Sequence, residues 1–129
     1  APHLLKEKSK EYLKVPSGFP EFETYPLILL HKVFNNELSL SIFVHATSEF
    51  PATLFKLSKK GYIQEGYDAD LMIIEQVEKY LIKSENFISK AKYTPYENFE
   101  SSVKIWKVFL RGKEINIQTS LPLGKIICI

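Results

Sequence analysis

The three histidines are the residues of this chain best suited to metal or acid–base chemistry: His3, His31 and His45. Their spacing is not that of a metal site, since there is no His-x-His pair, no two histidines four residues apart and no cysteine cluster. His31 and His45 lie beside apolar residues on predicted helices, which favours structural or surface roles. His3 lies outside any periodic element, near a Gly/Pro loop, where an imidazole can donate to a substrate carboxylate or carbonyl. Taken alone, His3 is an ordinary loop histidine.

The closely spaced carboxylates have structural explanations. Asp68 lies in a predicted turn and Asp70 precedes an apolar strand, and short Asp side chains in turns bond nearby backbone amides. Glu21 and Glu23 precede or begin a predicted helix, where charge complementarity with the helix N-terminus accounts for them. The residue types and spacings by themselves therefore predict no complete active site.

The composition is that of one globular domain or two small modules. Of the 129 residues, 45% are hydrophobic, 13% aromatic and 25% charged, which excludes a disordered tail. A formal charge of +2 argues against nucleic acid or an anionic membrane as a partner. The single cysteine, Cys128, excludes an intramolecular disulfide and a cysteine-based zinc knuckle, and predicts a cytoplasmic setting. No apolar run approaches the roughly 20 residues of a membrane-spanning helix.

Hydrophobic spacing and turn residues predict helices first and strands second. The predicted helices cover residues 23–34, 38–46 and 48–57, with Asn35-Asn36 ending the first and Ser48 capping the third. The predicted strands cover residues 62–63, 69–74, 80–82, 103–110 and 114–117, and the tail 120–129 is a candidate edge strand. Arg111-Gly112 is predicted to be a two-residue hairpin turn. This order is that of an α+β chain.

Four segments carry a family pattern. Residues 61–73, Gly-Tyr-Ile-Gln-Glu-Gly-Tyr-Asp-Ala-Asp-Leu-Met-Ile, resemble a Gly-x-Ile-x-x-Gly-x-Asp-Ala-Asp-Leu segment. Residues 47–55 resemble a Ser-x-Asn-Pro-Ala-x-x-Phe helix, with Phe50 in place of the Asn. Residues 89–97 resemble a Ser-Lys-x-x-x-x-Pro-Phe/Tyr-Glu loop, and residues 108–113 a final hairpin. All four are similar to segments in the C-terminal part of metal-dependent cyclic amidohydrolases, most of all dihydroorotases.

The first residues distinguish among amidohydrolase subfamilies. Residues 1–8, Ala-Pro-His-Leu-Leu-Lys-Glu-Lys, resemble the dihydroorotase motif Asp-His-Ala-Pro-His-x-x-x-Glu-Lys. The Asp of that motif, the family's general acid/base, would stand two positions before Ala1. Residues 16–24 resemble Pro-Gly-x-x-Gly-Leu-Glu-Thr, with Glu21 replacing the second glycine. The zinc ligands of the family belong to upstream strands, so the resemblance implies no catalytic residue and no metal ligand in this chain.

The resemblance implies four substrate-binding positions. His3 matches the family histidine that contacts the substrate carboxylate or ring. Ala1 and Gly18 match positions whose backbone lies against the substrate, and Ser17 stands where the family commonly has Pro.

The resemblance also implies an α+β fragment of a larger enzyme. Residues 1–57 would supply the last loop and helices of a (β/α)8 barrel, which needs about 250 residues in all, and residues 58–129 the C-terminal strands of a small β-sandwich. The complete enzyme would interconvert N-carbamoyl-L-aspartate and dihydroorotate in pyrimidine biosynthesis by zinc-assisted amide hydrolysis. We expect a homo-oligomer, with aspartate transcarbamoylase as a candidate partner. We expect this chain alone to bind no zinc and to be inactive.

Two other interpretations stay open. The chain begins at Ala1 without an initiator Met, which suggests processing or a piece of a longer protein. One alternative is a non-catalytic fragment or interaction domain that associates through apolar edges that the barrel would otherwise cover. The other is the C-terminal part of a hydantoinase- or allantoinase-like amidohydrolase. Oligomer size tests the non-catalytic interpretation. Hydrolysis of dihydroorotate, hydantoin and allantoin by the complete protein distinguishes the enzyme subfamilies.

Overall fold

The computed structural model describes residues 3–116 and 122–126, and its helices precede its strands as predicted. The α-helices are α1 (Leu5–Lys8), α2 (Tyr25–Phe34), α3 (Leu40–Val44) and α4 (Phe50–Leu54). A π turn covers His45–Glu49, and 3-10 turns cover Tyr12–Lys14 and Ser84–Asn86. The strands are β1 (Leu71–Leu81), β2 (Glu100–Leu110) and β3 (Lys113–Glu114), which form one antiparallel sheet in that order. None of the helices in this described part could span a membrane, given their length and hydropathy.

Helix α2 packs on strand β2 and forms the centre of the core. Pro26 lies in its first turn, where the missing N–H costs no helical hydrogen bond. Leu30 is 1% exposed and packs with Val103 of β2, which is fully buried, and with Phe43 of α3. The helix ends where the sequence predicts, because Asn36 adopts a left-handed conformation with φ 59° that an Asn side chain tolerates.

The second and third predicted helices are a single helical stretch from residue 40 to residue 54. Ser48 is not an N-cap, since it lies inside the π turn that joins α3 to α4. Pro51 accounts for the wider turn, because proline has no N–H to donate and its ring crowds the carbonyl four residues back. The hydroxyl of Thr47 donates to the carbonyl of Phe43 at 2.7 Å within this turn.

Strand β1 is longer than predicted. It pairs antiparallel with β2, with Leu71 opposite Phe109. The sequence predicts two short strands, 69–74 and 80–82, separated by a charged run, but the structure has one strand through that run. The charged side chains there are exposed, and an irregular register between Gln76 and Tyr80 gives them room as a bulge does.

The end of the sheet agrees with the sequence at the turn and differs beyond it. Arg111 and Gly112 have positive φ of 49° and 75°, as the predicted two-residue hairpin requires. Strand β3 is shorter than residues 114–117, and residue 117 lies outside the described residues. Residues 62–63 form no strand, since none of the strands within the described residues pairs with them. Residues 122–126 of the predicted tail strand are irregular, and the rest of that tail lies outside the described residues. The described part therefore has three strands where five were predicted.

Gly61 links the helices to the sheet at a close backbone approach. Its φ is +85°, and a Cβ added there would lie 2.6 Å from the Cβ of Ala52 and 2.8 Å from the carbonyl oxygen of Ser48. Both the conformation and the contact with the helical stretch therefore require glycine.

A small charged cluster fixes the entrance to β1. The ammonium of Lys60 lies 2.7 Å from a carboxylate oxygen of Asp68 and also binds Asp70, which accepts the backbone N–H of Arg111 at 2.7 Å. The structural role predicted for Asp70 is confirmed, although its amide partner is 41 residues away and not in the nearby turn. Burial alone raises the pKa of Asp70, but the hydrogen bonds from Lys60 and Arg111 outweigh burial and hold that pKa below its ordinary value.

We expect Gly61→Ala to lower the free energy of unfolding by about 2–4 kcal/mol. Alanine is strained at this positive φ, and its Cβ would in addition collide with the helical stretch. Gly66→Ala is a matched control, since Gly66 has φ +83° but nothing within 4 Å of an added Cβ. The free energy of unfolding of this control should fall by only about 1 kcal/mol, because alanine is strained at a positive φ. Urea unfolding of both variants tests this, and equal losses would contradict the close-packing explanation.

We expect Asp70→Asn to lower the free energy of unfolding at pH 7 and to make that free energy depend less on pH in the acid range. Because the folded-state pKa of Asp70 is lowered, its stabilisation is present above the unfolded-state pKa of about 3.9 and is lost as pH falls through the lower folded-state pKa. Urea midpoints measured between about pH 2 and pH 7 should converge for the two proteins at the acid end. Glu65→Gln, at an exposed position, should follow the parent curve. A constant offset between the two proteins at every pH would contradict the charge-based role.

Candidate functional site

A cavity of about 380 Å³ lies between the segment that precedes α2 and the loop that precedes β2. Its lining combines an imidazole, three aromatic rings and two serine hydroxyls. The lining residues are His3, Ser17, Gly18, Phe19, Pro20, Phe22, Ser89 and Tyr93. The structure thus brings together three of the four predicted substrate-binding residues, His3, Ser17 and Gly18, while Ala1 lies outside the described residues.

The turn that carries His3 is held by the glutamate of the Glu-Lys motif. A carboxylate oxygen of Glu7 accepts the backbone N–H of Leu4 at 2.6 Å, which closes the start of α1. That hydrogen bond is the main reason that the pKa of Glu7 lies below its ordinary value. The same oxygen lies 3.9 Å from Nδ1 of His3. The imidazole stays half-exposed, so it can contact a ligand in the cavity.

The lysine of the same motif holds the first wall of the cavity. The ammonium of Lys8 donates to the carbonyls of Pro16 and Gly18, the second at 2.6 Å, and it lies 5.6 Å from the centre of the Phe19 ring. Gly18 has φ +85° with open space around an added Cβ, so glycine is needed here for its conformation and not for room. The lysine charge is used to shape this loop.

The second wall is tied to the first by a carboxylate. The two oxygens of Glu23 accept the consecutive backbone N–H groups of Ser89, at 2.8 Å, and Ile88, at 2.9 Å. The sequence predicts for Glu23 only a favourable interaction with the start of α2. That prediction is incomplete, because the carboxylate binds a loop 65 and 66 residues further along the chain.

Sequence reasoning gave no role to Ser89 or Tyr93, although the resemblance quoted the segment that contains them. The hydroxyl oxygen of Tyr93 is buried and has no hydrogen-bond partner within the described residues, a rare condition for a buried polar group. The signal that could have found these residues is the segment 89–97, since it resembles a family loop and has no helical or strand period. Only the fold shows that this loop reaches His3.

The other two histidines do not line this cavity, and they have the structural and surface positions that the sequence predicts. Nδ1 of His31 accepts the backbone N–H of Ser102 at 3.2 Å, and its ring meets Phe99 edge to face, so His31 joins α2 to β2. His45 pairs with Glu49 at 3.1 Å on the surface of the π turn.

The residues that could hold a metal do not converge. Within residues 3–116 and 122–126, no three His, Cys, Asp or Glu side chains form a group that could bind a metal ion. The cavity also holds no carboxylate or cysteine beside its one imidazole. The described residues therefore do not fit a zinc site. A mostly apolar lining with a few polar groups is suited to binding a small molecule.

Comparisons with known proteins agree on the family. The sequence pattern of the amidohydrolase family matches residues 22–115. A dihydroorotase of Methanosphaera stadtmanae is 45% identical over 98 residues, 76% of this chain and 23% of that protein. A dihydroorotase of Pyrococcus horikoshii is 36% identical over 125 residues, 97% of this chain and 28% of that protein. The chain thus spans about a quarter of the length of these curated relatives.

Solved structures show the same fold. A D-hydantoinase superposes with a TM-score of 0.77 at 26% identity, over 87% of this chain and 25% of that one. A dihydropyrimidinase from Brevibacillus agri superposes with a TM-score of 0.74 at 30% identity, over 81% of this chain and 23% of that one. The match of the family pattern covers most of the chain, and the fold agrees with it. The chain belongs to the amidohydrolase family.

Proposed function

We propose that this chain is the C-terminal part of a dihydroorotase, which interconverts N-carbamoyl-L-aspartate and dihydroorotate in pyrimidine biosynthesis. The observation that carries the proposal is the cavity that His3, Ser17 and Gly18 line together, since these positions resemble the substrate contacts of dihydroorotases. Sequence relatives named dihydroorotase reach 45% identity, whereas the solved hydantoinases and dihydropyrimidinases cited above stand at 26% and 30%.

In the proposed enzyme, residues 1–57 belong to the last loop and helices of a (β/α)8 barrel, and residues 58–129 to a small β-sandwich. Exposed apolar side chains along the helical stretch support this division. Five large ones between residue 40 and residue 55, just after the last helix, are more than half exposed: Leu40, Ile42, Phe50, Leu54 and Phe55. Such a surface fits an element that the rest of a barrel covers.

The residues of this chain would bind and orient the substrate. The imidazole of His3 would donate a hydrogen bond to a substrate carboxylate or ring carbonyl, and the backbone around Gly18 would lie against the ring. Phe19 and Phe22 would exclude water from one side of it. The zinc of the complete enzyme polarises a carbonyl and activates water when bound, but the described residues do not form its site. The metal ligands and the general acid/base would therefore come from the remaining part of the enzyme, and no catalytic residue is assigned to this chain.

A second candidate is a hydantoinase-like cyclic amidohydrolase. It is favoured by the solved structures, whose TM-scores of 0.74 and 0.77 come from dihydropyrimidinase and hydantoinase chains. A non-catalytic interaction domain is a third candidate, because the exposed apolar helix face would also fit a protein partner. For the complete enzyme, we propose a homo-oligomer.

We expect the complete enzyme to hydrolyse dihydroorotate, and to act on hydantoin and allantoin at least about 100-fold more slowly by kcat/KM. The hydrogen bond that His3 would donate to the substrate carboxylate is lost when that carboxylate is missing. The 129-residue chain, assayed in parallel for turnover and for bound zinc, should show neither. Preferential turnover of hydantoin would move the assignment to the second candidate, and turnover by the chain alone would contradict the proposed division of the site.

We expect His3→Ala in the complete enzyme to lower kcat/KM by about 10- to 100-fold, the effect of losing one hydrogen bond to a charged group. Zinc content, measured by atomic emission, should not change. His45→Ala is the matched control, because His45 lies on the surface outside the cavity, and it should keep parental kinetics. Loss of zinc in His3→Ala would show that His3 supports the metal site and would contradict the substrate contact.

A further inference from the structure

Glu23 uses its whole carboxylate on the backbone of one distant loop. Its two oxygens accept from two consecutive N–H groups, at Ile88 and Ser89. Hydrogen bonds to an ionised acceptor are about twice as strong as those between neutral groups. Two such bonds in parallel fix both the orientation of the loop and its distance from Glu23.

The near end of this connection is rigid. Glu23 directly precedes Thr24, which is fully buried and whose N–H and hydroxyl both donate to the carbonyl of Glu21. Helix α2 begins at the next residue and is anchored by Leu30 in the core. The carboxylate therefore projects from a backbone that cannot shift without disturbing the core.

The far end of the connection is a cavity wall. Ser89 lines the cavity directly and Tyr93 follows it four residues later. Lys92 ties this loop to itself by donating to the carbonyls of Phe87 and Glu85, so residues 85–93 behave as one unit. Among the described residues, the two hydrogen bonds of Glu23 join this unit to the segment that directly continues the wall formed by residues 17–22.

We infer that Glu23 is a positioning residue for the substrate cavity: it sets the width between the Ser17–Phe22 wall and the Ser89–Tyr93 wall without touching the substrate itself. The inference rests on the proposed function in one respect, namely that the molecule bound in the cavity is a cyclic amide or its hydrolysis product. Substrate binding depends on this width, whereas chemistry at the zinc centre depends on groups outside this chain. Loss of Glu23 should therefore act on KM more than on kcat.

The test is Glu23→Gln in the complete enzyme, because the glutamine amide keeps the shape but offers one acceptor oxygen for two N–H groups. KM should rise about 5- to 20-fold, with kcat and zinc content nearly unchanged. Glu97→Gln is the matched control: Glu97 accepts the N–H of Ser84 at 2.9 Å in the same loop region but does not line the cavity. A purely structural role would change the melting temperature of both variants and the KM of neither, and that result would overturn the inference.

A second measurement does not depend on activity. Amide hydrogen exchange at Ile88 and Ser89 should be about tenfold faster in Glu23→Gln and unchanged in Glu97→Gln. Unchanged exchange in Glu23→Gln would overturn the inference whatever the enzyme acts on. If the complete enzyme turns over hydantoin and not dihydroorotate, the proposed substrate fails, and the KM comparison is made with hydantoin and still decides the role of Glu23.

Discussion

The packing of helix α2 against strand β2 is the contact on which the rest of the structure depends. Leu30 and Val103 bury each other almost completely, and His31 adds a hydrogen bond from the same helix to Ser102 of the same strand. The first cavity wall leads into the start of α2, and the second wall leads into β2. A shift of α2 along β2 would therefore move the two walls relative to each other. The shape of the cavity thus depends on this apolar contact.

Three charged residues of the family-like segments form hydrogen bonds with backbone groups of the loops around the cavity. Glu7 closes the turn after His3, Lys8 holds the Pro16–Gly18 loop, and Glu23 holds the Ile88–Ser89 amides. Each ionised group thus satisfies backbone groups of an irregular segment, where no helix or sheet would do so. The cavity is built from loops, and these charges give the loops a defined shape.

The sequence pattern was enough to predict the helices and turns that neighbouring residues in the chain determine. Helix α2 follows from its apolar spacing and its Asn end, and the hairpin follows from Arg111-Gly112. The sequence did not predict β1 as one strand, because a charged run looks like a loop until a neighbouring strand supports it. The resemblance identified His3, Ser17 and Gly18, which share one cavity. It could not identify the link from Glu23 to Ser89, because that link depends on how two loops meet after the core has formed.

The π turn at His45–Glu49 also decides where the helical segment can vary in length. Atoms of Ala52 and Ser48 lie 2.6 and 2.8 Å from the place where a Cβ on Gly61 would stand, and these two residues belong to α4 and to the π turn. Removing one residue from the regular turns of α3 would rotate everything beyond it by about 100° around the helix axis, and both residues would turn away from Gly61. The π turn holds about one residue more than an α turn, so the loss of one residue there would leave α4 nearly in phase with α3. Single-residue deletions are therefore accommodated in the π turn and not in the α-helices on either side of it.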